Sequence, residues 1–73
     1  MRITYDREAD ALYIQLVDGE HECRTVHLSD DVALDFGEGE VLVGIEVLDA
    51  STTLGRGQLA PLTVENVEVV PAK

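Results

Sequence analysis

Val41-Leu42-Val43-Gly44-Ile45-Glu46-Val47-Leu48 is the stretch that decides the fold. Its pattern has period two. Val41, Val43, Ile45 and Val47 fall on one side, and Leu42, Gly44, Glu46 and Leu48 on the other. A short run rich in β-branched residues is a strand, because branched side chains pack well on a pleated surface. A strand backed by water would carry polar residues along its second side. Here that side is largely apolar too, which predicts a central strand whose second face is partly covered by the C-terminal segment or by another subunit.

The neighbouring segments repeat the period. Val32, Leu34 and Phe36 alternate with Ala33 and Asp35, and Gly37-Glu38-Gly39-Glu40 closes a hairpin between them and the central strand. Further back, Leu12, Ile14 and Leu16 alternate with Tyr13 and Gln15. A helix over residues 6–16 would wrap these apolar residues around its axis, so the spacing predicts a strand over 11–17. Ile3 and Tyr5 form a short first strand. Between the two, Asp6-Arg7-Glu8-Ala9-Asp10 is a polar connection in which Asp6 caps a turn. Asp18-Gly19 suits a tight hairpin into a weaker strand over 22–28, which Ser29-Asp30-Asp31 ends. Asp49-Ala50-Ser51 starts a short helix, and Gly55-Arg56-Gly57 interrupts regular structure. Leu62-Thr63-Val64 and Val67-Glu68-Val69-Val70 read as late strand material before Pro71. The expected fold is mainly β, with α+β as the variant. It is a small antiparallel β-meander of five or six strands with at most one short helix, in a single domain spanning residues 1–73.

A chain of 73 residues buries only about 60% of the surface its unfolded form exposes. Such domains draw support from disulfides, a metal or association. Cys23 is the only cysteine, so no disulfide forms within the chain. That usage, with no charged-then-apolar leader, fits a cytoplasmic protein. Self-association into a homodimer is the remaining stabiliser. The chain carries 5 basic and 15 acidic residues, a formal net charge of −10. No Lys or Arg falls between Arg24 and Arg56. A surface of this sign repels phosphate backbones and anionic lipid heads, which argues against direct nucleic-acid or membrane binding. The same sign suits a basic protein partner, met by Asp30, Asp31, Asp35, Glu38, Glu46 and Asp49.

Candidate sites are few. Asp6, Glu8 and Asp10 have the opening spacing of a calcium loop, but its sixth position is Ala11 and its twelfth Val17, where a Gly and a bidentate Glu are required. A turn explains them better. His21 and Cys23 share a strand face and can both reach one zinc ion, whereas His27, four residues beyond Cys23, lies about 13 Å further along an extended strand. Zinc needs three or four ligands, so scattered surface residues are the simpler reading and no cofactor is expected. Cys23 lacks the electropositive setting that activates a thiol. Tyr5, Asp6, Asp10 and Tyr13 could line a pocket with the two carboxylates as acid and base. The plainer reading packs the tyrosines across the first hairpin. Gly55-Arg56-Gly57 lacks the Lys-Ser/Thr of a phosphate loop.

Two blocks of sequence carry a resemblance. The first is Ile3-Thr4-Tyr5-Asp6 with Glu8-Ala9-Asp10-Ala11-Leu12-Tyr13-Ile14. The second is Val32-Ala33-Leu34-Asp35-Phe36 and, after a Gly-containing turn, Leu42-Val43-Gly44-Ile45-Glu46-Val47-Leu48-Asp49-Ala50-Ser51. In order and spacing they resemble the small prokaryotic family called domain of unknown function 2283. The likeness covers residues 1–51 and leaves 52–73 as a C-terminal extension. It implies a short cytoplasmic protein with no assigned activity and no established catalytic residues. Some such proteins are said to sit beside small toxin-like proteins, which implies an antitoxin-like role. Residues and resemblance together favour a non-enzymatic protein-interaction module that dimerises through its sheet. The alternative is a small-ligand binder or enzyme whose site forms across a dimer interface.

Overall fold

In the computed structural model, which describes residues 1–57 and 61–65, five strands form one antiparallel sheet. They are β1 (Arg2–Asp6), β2 (Ala11–Gln15), β3 (Arg24–His27), β4 (Val32–Phe36) and β5 (Leu42–Val47). A 3-10 turn (Glu38–Glu40) joins β4 to β5, and a single helical turn, α1 (Ala50–Thr53), follows β5. The order across the sheet is β1-β2-β5-β4-β3. β5 is therefore central, as its two-sided pattern predicts, and the mainly β antiparallel architecture with one short helix is the expected one.

One hairpin differs from expectation. β2 and β3 are consecutive in sequence but do not pair, because β2 lies against β5 and β3 forms the far edge against β4. The reason lies in the partners on offer. Against β5, β2 gains the pairs Leu12↔Val47 and Ile14↔Ile45, whereas Arg24, Thr25 and His27 of β3 offer no comparable apolar match. Residues 16–23 instead carry the chain to the other edge. Their departure is fixed by Gln15, whose Nε2 donates to the carbonyls of Val17 (3.1 Å) and Gly19 (2.9 Å). The strand expected at 62–64 is also absent, since those residues have no ladder partner. The strand expected at 67–70 lies outside the described residues.

Directly opposed residues of an antiparallel pair share a face, so the registers sort the sheet into two sides. One side carries Ile3, Tyr5, Leu12, Ile14, Val26, Val32, Leu34, Phe36, Ile45 and Val47, with Arg24 at its corner. The other carries Arg2, Thr4, Asp6, Tyr13, Gln15, Thr25, His27, Ala33, Asp35, Gly44 and Glu46. The strand acids, Asp6, Asp35 and Glu46, thus all lie on the polar side. A register shift at Asp35/Phe36 places Leu42 opposite Phe36.

α1 and residues 61–63 lie over the β1–β2 end of the apolar side, where Leu54, Pro61 and Leu62 border a cleft floored by Ile3, Leu12 and Ile14. That cover is thin. The buried apolar residues are Ala33, Val43, Val47 and Ala50, and no large side chain among the described residues is fully buried.

Candidate functional site

Three features stand out from the scaffold: a latch at one end, a polar network on one face, and an open apolar surface on the other.

The latch starts in the β1–β2 turn. Asp6 caps it, its Oδ1 accepting from the backbone N–H of Glu8 (3.0 Å) and Ala9 (3.2 Å), the role its position predicts. The turn ends on Asp10 at φ 50°, a left-handed conformation that aspartate tolerates better than most residues. This conformation turns Asp10 towards α1. Its carbonyl accepts from the Ala50 N–H at 2.8 Å. Its carboxylate accepts from the Ser51 hydroxyl at 2.6 Å and the Ser51 N–H at 3.1 Å, and from the Tyr5 hydroxyl at 2.6 Å. The hydrogen bonds from Ser51 and then Tyr5 hold the Asp10 carboxyl below the usual aspartate range. The bond to Asp10 conversely raises the Tyr5 hydroxyl. Asp49, also left-handed at φ 50°, reverses the chain so that α1 meets Asp10. Ser51 is the residue that reading from sequence misses. Its signal is that the two family-like blocks contain Asp10 and end on Ser51, with cap-forming residues at both places.

On the polar side, the Tyr13 hydroxyl donates to Asp35 Oδ2 at 3.0 Å and the Thr25 hydroxyl to Asp35 Oδ1 at 2.7 Å. The Tyr13 ring crosses β5 where Gly44 leaves room: a Cβ there would lie 3.0 Å from ring Cε2, with Cζ and the hydroxyl closer still. Partial burial, then the hydrogen bond to the Asp35 carboxylate and its charge, push the Tyr13 hydroxyl up to about 12. A lone glycine within an apolar strand marks such a close approach.

The proposed pocket of Tyr5, Asp6, Asp10 and Tyr13 does not converge. Tyr5 reaches Asp10, but Tyr13 lies on the opposite side, since Tyr5 pairs with Leu12 and Thr4 with Tyr13. For the same reason the tyrosines do not pack on each other. The acids expected to meet a basic partner are also spread out. Asp30, Asp31 and Asp49 gather at one end, where the Leu48 N–H donates to the Asp31 carbonyl. Asp35 and Glu46 lie on the polar side. Glu38 lies at the other end, where Glu20, Glu22, Glu38 and Glu40 line a shallow cleft with Arg24, which pairs with Glu40 and stacks 5.3 Å above Phe36. His21 Nε2 approaches the Asp18 carbonyl at 2.7 Å, and the Cys23 thiol lies 3.6 Å from the His21 carbonyl. The described residues contain no group of three metal-ligating side chains, and none of their helices is long and apolar enough to cross a membrane.

The third feature is the apolar side itself. Ile3 and Tyr5 are each 40% exposed and Leu54 is 55% exposed. Val26, Leu34, Phe36 and Ile45 are only half-buried. Stable domains bury a sheet's apolar face under a second layer. Among the described residues that layer is one helical turn and residues 61–63, confined to one end.

Among the described residues, fold and site therefore define one antiparallel β-sheet, latched at one end and open along its apolar face. A family model described as "Protein of unknown function (DUF2283)" matches residues 2–51. The chain belongs to that family. The match ends on Ser51, so it takes in the whole sheet and both partners of the latch. No curated protein and no solved structure matches the chain.

Proposed function

We propose that this domain is a non-enzymatic protein-interaction module whose apolar sheet face packs against that of a second copy. The observation that carries the reading is the half-buried surface of Val26, Leu34, Phe36 and Ile45, over which the described residues place no second layer. Charge limits where two copies can meet. Copies that each carry −10 repel one another over most of their surface, and the strand acids are all confined to the polar side. The apolar side is where two copies can approach without setting carboxylates against each other. Two sheets packed this way form a sandwich about 10 Å thick, an ordinary architecture for antiparallel sheets. The polar groups that look most like chemistry are spent on structure, Asp10 on the latch and Asp35 on Tyr13 and Thr25. The acids of the 30–49 stretch spread over both ends and the polar side, so the apolar face is the better contact.

Light scattering across a concentration series tests this reading. The chain should be larger than a monomer, and Val26→Glu, a change on an outer strand, should split the face contact while the circular dichroism stays that of a sheet. A native chain that is monomeric at high micromolar concentration would end the proposal.

A further inference from the structure

β1 has one free edge among the described residues, because it pairs with β2 alone. Free edges are templates for another strand, and natural edges are usually blunted by Pro, Lys, a bulge or a cover. β1 reads Arg2-Ile3-Thr4-Tyr5-Asp6, carries no Pro, Lys or bulge, holds its charges at its two ends only, and is exposed at every residue. We propose that β1 pairs with the β1 of a second copy across a two-fold axis through Thr4, joining two five-stranded sheets edge to edge. This is a second contact, beyond the face contact proposed above.

The register is dictated by self-complementarity. A two-fold axis perpendicular to the sheet keeps like faces together and pairs each residue with its mirror position about the centre. With Thr4 opposite Thr4 of the other copy, Ile3 meets Tyr5 on the apolar side, twice. On the polar side Arg2 meets Asp6, also twice. The two apolar pairs join the exposed parts of Ile3 and Tyr5 into a surface continuous with the rest of that face. The two ion pairs use Arg2, one of only 5 basic residues in a chain of 15 acids, which makes no ion pair of its own among the described residues. Asp6 spends Oδ1 on the turn, leaving Oδ2 for the other copy's arginine. β1 as a whole is neutral, which suits it as a meeting line for two copies of like charge.

The other edge fails the same test. Centred on Thr25, β3 would set Arg24 against Val26. Centred on Val26, it would set Thr25 against His27 and Arg24 against Leu28. Neither register pairs opposite charges, and Arg24 is already engaged by Glu40 and Phe36.

The test uses the full chain. Arg2→Asp sets carboxylates opposite one another in both symmetric pairs. It should weaken the edge contact about tenfold and halve the mass of the particle at intermediate concentration. Mixing the Arg2→Asp and Asp6→Arg chains restores both pairs and should restore the larger particle. Asp6→Arg also removes a turn cap, so a covalent test stands beside it. Thr4→Cys in a Cys23→Ser background should form an intermolecular disulfide, since opposed Cα atoms about 4.5–5.5 Å apart suit one, while Thr25→Cys in that background should not. The face and edge contacts fail separately. A particle halved by Val26→Glu but indifferent to Arg2→Asp, with no cross-link at residue 4, retains the face contact and overturns the edge. A monomer whose β1 amides resist hydrogen exchange also overturns it and assigns the edge to another segment of the chain.

Discussion

Replacing Gly44 with alanine is the sharpest test of the polar network. Gly44 carries no positive φ, so alanine suits the backbone, and in a strand it should stabilise by about 0.5–1 kcal/mol through lost unfolded-state freedom. Sterics oppose this, because the new methyl would meet the Tyr13 ring within 3.0 Å of Cε2 and closer at Cζ and the hydroxyl. The ring must leave. Overpacking of this kind costs about 1–3 kcal/mol. Removing the hydroxyl from Asp35 adds about 1 kcal/mol, modest because Thr25 still serves the carboxylate. The balance is a loss of about 2 kcal/mol, or roughly 8–16 °C in Tm for a domain of this size. Thermal denaturation at fixed protein concentration measures it. The decisive comparison is the double mutant. In a Tyr13→Ala background Gly44→Ala should be neutral or stabilising, whereas Tyr13→Phe should give no relief, since ring carbons rather than the hydroxyl alone fill the space. Equal cost of Gly44→Ala with and without the Tyr13 ring would refute the reasoning.

Other outcomes follow from the same contacts. Absorbance titration of the native protein should show Tyr13 ionising near pH 12. Its raised value adds stability that is complete below the unfolded tyrosine pKa of about 10 and lost as pH climbs through 12. Asp35→Asn should bring that ionisation down only part of the way, because burial is the larger cause. Ser51→Ala should lower Tm by a few degrees and free α1, read as faster hydrogen exchange at the Ala50 and Ser51 amides. Asp10, held low by Ser51 and Tyr5, should contribute to the onset of acid unfolding. Its contribution is present above the unfolded pKa of about 4 and lost as pH falls through the lower folded value. In Ser51→Ala that onset should move to higher pH, and an unchanged acid limb would count against the latch.

The strands other than β3 are legible because each is short, alternates in period two and ends on turn residues. Val32–Phe36 stands as read and the Val41–Leu48 run forms a strand over Leu42–Val47, with the Gly37–Glu40 turn between them. What sequence left open was who pairs with whom. The Asp18-Gly19 signal describes a local turn, but β2 chose β5, nearly thirty residues on, because Ile45 and Val47 match Ile14 and Leu12 where β3 does not. Non-local pairing is decided by the competition among strands, and no window of sequence contains it. The site divides the same way. Asp6 was readable as a cap since its partners lie two and three residues away. Asp10 and Ser51 are separated by 41 positions and meet only when β2 and β5 lie side by side. Tyr13 was misplaced on the Tyr5 face because that reading ignored the register, which pairs Tyr13 with Thr4.

The hydrogen bonding is the reason the proposal rests on the apolar face and not on a polar cluster. A polar group available for chemistry must be left partly unsatisfied by its own fold. Here Asp10 has three hydroxyl or amide donors, Asp35 has two hydroxyls, and no buried side-chain polar atom among the described residues lacks a partner. Those two carboxylates are committed to the fold. The apolar face is the less complete part, where Ile45 and Leu34 at the centre of a five-stranded sheet stay half-buried. Exposed apolar area is stabilised by removal from water at about 25 cal/mol per Å², and a thin 73-residue domain has little stability to forgo elsewhere. If two copies pack through this face as proposed, folding and association are one equilibrium. Stability of the native chain should rise with its concentration, while that of Val26→Glu, which loses the face contact, should rise less. Parallel urea transitions at low and high protein concentration would separate the two, and coincident native transitions would remove the physical basis for association.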